Sequence, residues 1–333
     1  MLATVAICTW NRAKLLDQTL ASLTHVRVPA GVEWEILVVN NNSPDDTERI
    51  LNGYRDRLPL RRFLELAQGL SHARNRAIHE SRGEHILWLD DDVIVEEHWL
   101  ESHIAAADAF PDAVVFAGVI EPLFAVPPPP EFATWMPQIG SAFAARQFGP
   151  EVRPLRPGEA PYGANFAVRA AIQRRFRFDA RVGRVGGSWV GDEESLMLDA
   201  IWRAGYSGVW VGTARVQHCM PAERANWNYI WNWRAGVGQS SARRAGVEAV
   251  PTLAGLPRWA VVQYWKTRAT GFALRQLGRP NWGEHYLRAA HLQGMLTECR
   301  RYQRLAGTAE VPSPRAGYLV PPLDRVPEGD APS

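Results

Sequence analysis

The chain has 333 residues and only three cysteines, Cys8, Cys219 and Cys299, spread along its length. So few and so scattered, they exclude a disulfide framework and a clustered zinc site, and they suit a reducing compartment. Long hydrophobic runs are missing too: nothing approaches the roughly 18–20 apolar residues that a bilayer span requires. The opening MLATVAICTWNR has neither a basic leader nor a cleavage site, so it does not read as a signal peptide. After the first apolar run stands CTWNR and not G-x-G-x-x-G, which removes a dinucleotide-binding dehydrogenase from consideration. There is no internal repeat. These absences leave a cytoplasmic globular chain of one large or two modest domains as the expectation, at roughly 100–200 residues each.

Net charge is nearly absent, at +2, yet unevenly distributed. Residues 1–220 hold 22 Lys+Arg against 27 Asp+Glu, and residues 221–333 hold 15 against 8. The basic back part fits either an anionic partner surface or a solvated face. Tryptophan is plentiful, with 14 residues, and serves core packing, sugar stacking or a membrane interface.

The first third alternates apolar strand patterns with helical ones. LATVAICT, Glu35–Val39, LRRFLEL, HILWL and AVVFAGVI read as strands. Asn11–Leu23, SPDDTERILNGY, Ser71–Ser81 and Glu96–Phe110 read as helices between them. Such alternation implies a largely parallel sheet with helices on both faces and a ligand crevice beyond the carboxyl ends of its strands. The polar clusters Thr9–Arg12, Asn40–Asp46 and Asp90–Asp92 all follow such ends and should converge. From Glu121 to Pro161 proline-rich loops are expected. YGANFAVR and YSGVWVG return as short strands around the helix GDEESLMLDAIWRAG. Beyond Pro221 the pattern is helical, with two basic amphipathic segments paired through GRPN, and then a Pro/Gly-rich tail. The expected organisation is 1–220, 221–306 and 307–333.

The stretch most in need of a reason is EHILWLDDDVIV, in which a buried strand runs into Asp90, Asp91 and Asp92. At about 4 Å and an effective dielectric near 20, each like-charge pair costs roughly 4 kcal/mol, so positive charge must be nearby. Strand alternation sets Asp90 and Asp92 on one face and Asp91 on the other. Two carboxylates at a crevice suit a divalent cation shared with nucleotide phosphates, or else a solvated turn.

VAICTWNR, EILVVNNNSPDDT, GLSHARNRAIHESRGEHILWLDDDV, PYGANFAVR, GDEESL and VWVGTARVQH occur in order across residues 3–220. Together they make the chain resemble a family 2 glycosyltransferase of the inverting, metal-dependent GT-A type. The resemblance implies an α/β fold with a Rossmann-like mixed sheet flanked by helices, to which the C-terminal helices are an extension. It also implies a nucleoside-diphosphate sugar donor, with UDP-sugar leading, and Mn2+ or Mg2+ as cofactor. Thr9, Asn11, Arg12, Asn40, Arg74, Asp90 and Asp91 take the nucleotide-sugar positions, and Asn40 stands where many members have an Asp on the base. Asp92 and His218 take the metal positions, and Asn165 and Trp189 the acceptor side. In GDEESL the general base is Asp192 or Glu193, the order being swapped relative to the family. WNYIWNWRAGVGQ lacks Q-x-x-R-W, which implies a non-processive enzyme. The acceptor is a hydroxyl of a glycan, a lipid-linked or a small molecule, with no nucleic acid involved. The basic helices suit a peripheral place at the inner face of an anionic membrane, packing against the catalytic domain, or a dimer. The different-class alternative is a catalytically silent nucleotide- or glycan-binding protein of the same fold.

Overall fold

The computed structural model describes residues 1–183, 191, 193–245, 252–253 and 256–306. β1 (Leu2–Thr9), β2 (Glu33–Asn40), β3 (Leu60–Leu64) and β4 (His85–Leu89) pair in parallel in the spatial order β3-β2-β1-β4. α1 (Ala13–Leu23), α2 (Thr47–Gly53) and α3 (Leu70–Glu80) connect them. Both sheet faces are covered, which is why these strands read as continuous apolar runs. Val5, Ile7, Leu87 and Leu89 pack into one layer with Leu16 and Leu20 of α1. Their alternates Ala6, Ile86 and Trp88 pack into the other, with Ala73 and Ala77 of α3. Asp45, in the cap-rich SPDDT stretch, accepts the Ala13 N–H at 2.8 Å and the Thr47 N–H at 3.2 Å. One side chain thus satisfies donors at the starts of two helices.

The second half makes the sheet mixed. β8 (Asn165–Arg169) inserts antiparallel between β4 and β6 (Ala113–Phe124), and β9 (Ser207–Met220) runs parallel to β6. β5 (Val93–Val95) and β7 (Val152–Pro154) each pair antiparallel with β9. α4 (Trp99–Ala109), α6 (Ala170–Arg175) and α7 (Glu193–Arg203) complete the helix layers, with Met197, Leu198 and Ile201 of α7 buried. The architecture is the mixed α/β sheet expected, but three elements differ from the sequence reading. YSGVWVG is the start of a strand twice as long, because its second half carries β5. The apolar residues after the acidic triplet form β5 itself. Glu121–Pro161 is not all loop, since α5 (Phe132–Ile139), a 3-10 turn at Gly140–Phe143 and β7 fall within it.

That segment also binds the C-terminal helices to the rest. α8 (Trp227–Ala245) and α10 (Trp282–Ala306) are joined through a short hairpin, β10 (Thr252–Leu253) and β11 (Leu256–Pro257), and α9 (Arg258–Gln276). Phe132, Trp135 and Phe143 share one buried cluster with Met220 of β9, Trp227 and Ile230 of α8 and Leu287 of α10. α8 and α10 cross closely at Gly238 and Gly294, where a methyl group would strike the His291 and Ala235 carbonyls. Residues past 220 therefore share a core with the sheet domain. The expected tail, 307–333, lies outside the described residues.

Candidate active site

The chain runs outward from β1 to β3 and then returns to the other side of β1 as β4, so a crevice opens at their carboxyl ends. A cleft of about 500 Å³ occupies it. Thr9, Trp10 and Arg12 follow β1, Asn41 and Gln68 follow β2 and β3, and Asp90–Asp92 follow β4. The far wall is made by Glu193 and Glu194 at the start of α7, His218 of β9, and one face of α8.

The acidic triplet is buried except for Asp90. Arg12 Nη1 bridges it, at 2.9 Å from Asp91 Oδ1 and 3.0 Å from Asp92 Oδ2. Thr9 Oγ1 donates to Asp91 Oδ2 at 2.7 Å, Arg224 Nη1 lies 3.5 Å from Asp92 Oδ2, and Arg74 Nη2 lies 3.7 Å from Asp90 Oδ1. Asp91 and Asp92 share the same burial but not the same environment. Burial pushes the Asp91 carboxyl up to about 6 against the pull of Arg12. For Asp92 burial acts in the same sense, but His218, Arg12 and Arg224 outweigh it and hold the carboxyl well below the usual range. Asp91 in turn holds the Arg12 guanidinium above its ordinary pKa.

His218 gives Asp92 its special character. Its Nδ1 donates to the Phe143 carbonyl at 2.9 Å and its Nε2 lies 3.0 Å from Asp92 Oδ1; burial works against a charge on this ring, but Asp92 outweighs it and raises the His218 pKa. The Nε2 approach is not aligned as a hydrogen bond, so Asp92 Oδ1 is a buried carboxylate oxygen with no hydrogen-bond partner. One ligand atom each from Asp90, Asp92 and His218 lies within 4.8 Å of the others. Two carboxylates and an imidazole held by a backbone carbonyl make a donor set that fits Mn2+ or Mg2+ with positions left for a ligand's oxygens.

Across the cleft, Arg74 is buried between acids. Its Nη1 lies 3.3 Å from Glu193 Oε1 and its Nη2 lies 2.5 Å from Glu194 Oε1. Burial works against this charge, but Glu194, Glu193 and Asp90 outweigh it and raise its pKa. Glu194 also accepts the Gly163 N–H at 2.8 Å, and a side chain at Gly163 would collide with Glu194 and Arg74. Glu194 is therefore a clamp, and Glu193 is the carboxylate of this pair that the clamp positions.

Three expected site residues are not brought into the cleft. Asn40 is buried; it donates to Glu48 Oε1 at 2.7 Å and accepts the Ser43 N–H at 2.9 Å. Its neighbour Asn41 lines the cleft instead, donating to the Glu65 and Ala67 carbonyls at 3.0 and 2.7 Å. Asn11, with φ 55°, does not line the cleft, and its N–H donates to Ser43 Oγ at 3.0 Å. Asn165, read as the acceptor contact, is fully buried beneath the site and lies against Gly118 of β6, where a Cβ would collide with its amide. Asp192 and Trp189 lie outside the described residues.

Sequence reasoning missed Gln68, Arg224 and the α8 wall. Tyr229, Trp233, Val237, Ser240 and Arg244 line the cleft at three- and four-residue spacing, and that periodicity was the available signal. Ser240 Oγ ties this wall to the Gly191 carbonyl at 3.0 Å, next to the acidic motif. Arg234 also lines the cleft; its buried Nε has no hydrogen-bond partner, and burial lowers its pKa.

Residues 4–127 match the family model described as Glycosyl transferase family 2. A validoxylamine A glucosyltransferase from Streptomyces hygroscopicus subsp. jinggangensis is 28% identical over 163 residues, 48% of this chain and 36% of that protein. The chain thus spans about a third of the length of that relative. The succinoglycan biosynthesis protein ExoM of Rhizobium meliloti is 24% identical over 245 residues, 72% of this chain and 74% of its own. Among solved structures, Staphylococcus aureus TarS 1–349 with UDP-GlcNAc aligns at TM-score 0.55 and 16% identity, covering 91% of this chain and 92% of that one. The mannosyltransferase PcManGT of Pyrobaculum calidifontis, with GDP-Man and Mn2+, aligns at TM-score 0.52 and 17% identity over 93% and 76%.

Proposed function

From a chain that carries a family 2 glycosyltransferase domain on a GT-A fold, we propose an inverting, non-processive transfer of sugar from a nucleoside-diphosphate donor to an acceptor hydroxyl. UDP-sugar is the leading donor, and the acceptor is a glycan, a lipid-linked or a small molecule. One observation carries the reading: the ligating atoms of Asp90, Asp92 and His218 converge in the same cleft as a carboxylate positioned by Arg74. Asp92 and His218, with Asp90 beside them, would hold Mn2+ or Mg2+, which when bound supplies Lewis-acid neutralisation of the diphosphate leaving group. Asp90 and Asp91 serve the nucleotide side, together with Thr9, Arg12 and Arg74.

Inversion requires attack from the face opposite the leaving group, with a base to take the hydroxyl proton. Glu193 suits that role, because Arg74 fixes its orientation and Glu194 absorbs much of the arginine's charge. Asp192 is the other candidate. Tyr229 and Trp233 line the cleft where an acceptor sugar would lie, and Arg234 brings a cation beside them. A peripheral place on an anionic membrane belongs to the same reading and is carried by α9.

Calorimetric titration of UDP and GDP into the full chain, with and without Mn2+, tests the proposal. Binding should require the metal, and Asp92→Asn should weaken it by about 100-fold or more, at or above the loss that removing a mere supporting partner produces. Metal-independent binding left intact in Asp92→Asn would refute the donor site. Binding without transfer from any UDP-sugar would favour the silent alternative.

A further inference from the structure

α9 faces the protein with its smallest residues and the solvent with its largest apolar ones. Ala260, Thr267 and Gly271 are buried, and Gly271 lies against Trp282 and His285 of α10, where a Cβ would come within 3.1 Å of His285 Cβ. The opposite face carries Trp259, Val262, Trp265, Ala269 and Phe272, all exposed and repeating every three or four residues. Trp265 is 62% exposed and Phe272 is 68% exposed, and Leu277 continues the stripe just past the helix. Single exposed apolar residues need no explanation, but a row with two tryptophans and a phenylalanine does.

The charges that α9 itself carries are all of one sign. At 100° per residue, Lys266 lies along one edge of the stripe and Arg268 and Arg275 along the other, with Arg258 at the helix start and Arg279 beyond its end. No Asp or Glu occurs between residues 249 and 283. Arg268 and Arg275 sit over the rings of Trp231 and Trp282, which fixes their position, and of the acids on neighbouring elements Glu131 lies near Arg275. We infer that the outer face of α9 docks flat on an anionic lipid bilayer, its aromatic row entering the headgroup boundary between flanking lines of arginine and lysine.

Three features favour that occupant over others. A second copy would set two identical basic faces against each other. A free anion would need the arginines but not the apolar row. Among the described residues no helix is long and apolar enough to cross a membrane, so the aromatic row marks a surface contact and not a span. The inference extends the membrane part of the reading above and uses none of the transfer chemistry. Transfer would be lost without affecting it, and the reverse.

Co-sedimentation of the full chain with vesicles tests it. The chain should pellet with phosphatidylcholine vesicles containing phosphatidylglycerol, stay in solution with phosphatidylcholine alone, and be released by raised salt. The W265S/F272S double variant should lower the partition coefficient by about tenfold or more. Lys266→Gln and Arg268→Gln should each lower it about fivefold. These side chains are exposed, so the thermal midpoints of the variants should match that of the parent. No binding to the anionic vesicles, equal binding to both kinds, or variants that bind like the parent would each overturn the inference. So would light scattering that finds a dimer which W265S/F272S converts to monomer, since a second copy would then cover the face.

Discussion

Asn165 and Asp92 both end up buried on the central sheet, and their surroundings could hardly differ more. The Asn165 side chain accepts from Trp99 Nε1 at 2.8 Å and His103 Nε2 at 3.0 Å, and it donates to the Val119 and Ala214 carbonyls at 2.8 and 2.9 Å. All four of its hydrogen-bonding positions are used. Asp92 is surrounded by Arg12, Arg224 and His218 and still has a buried oxygen without a hydrogen bond. A neutral amide with every position bonded holds a fold together; an over-charged cluster with an open carboxylate oxygen expects a ligand. Burial alone does not separate the two cases, and the completeness of the bonding does.

The comparison breaks first if the cleft carboxylates prove as structural as Asn165. Glu193→Gln should reduce turnover about 1000-fold, roughly 4 kcal/mol of transition-state stabilisation, while leaving nucleotide affinity within about twofold. Glu194→Gln is the control, since its carboxylate holds Arg74 and the Gly163 N–H, and it should lower the thermal midpoint as well as activity. Unchanged turnover in Glu193→Gln would pass the base to Asp192. On the other side, Asn165→Ala strands two buried donors and two carbonyls and should destabilise the fold by about 3 kcal/mol. Its nucleotide affinity should remain near that of the parent. A selective loss of acceptor binding with unchanged stability would return Asn165 to the site.

The sheet was legible because its strands are buried on both faces, so local pattern and tertiary position agree. The acidic triplet was legible for an electrostatic reason, since three adjacent carboxylates after a core strand demand cations. The family resemblance already placed Arg12 and His218 at this site, but Arg224 carried no signal, and only folding shows that the three meet around Asp92. Asn165 and Asn40 were misplaced because an amide in a motif looks the same whether it bonds a ligand or its own backbone. The α8 wall was hidden because its cleft face mixes Tyr229, Trp233, Val237 and Ser240, a sequence that reads equally well as packing.

The smallest effect concerns the histidine bonded to Asn165. His103 Nε2 carries the proton shared with Asn165, and Nδ1 is buried with no partner. A second proton would have to be placed there, away from water, and burial accordingly lowers the His103 pKa to about 4. An unfolded chain takes that proton near pH 6.5, so between about 6.5 and 4 the unfolded state binds more protons and stability falls as the pH falls. From pH 8 to pH 5 this one group should remove about 2 kcal/mol. Urea unfolding of the parent and of His103→Gln at both pH values isolates it, because Gln keeps an N–H for Asn165 and cannot be charged. His85, whose pKa burial also lowers, is present in both proteins and cancels in the difference. The parent should lose about 2 kcal/mol more than the variant on acidification. Equal losses would mean that the surroundings of Asn165 accept a charge, and completeness of bonding would then no longer mark them off from the acidic cleft.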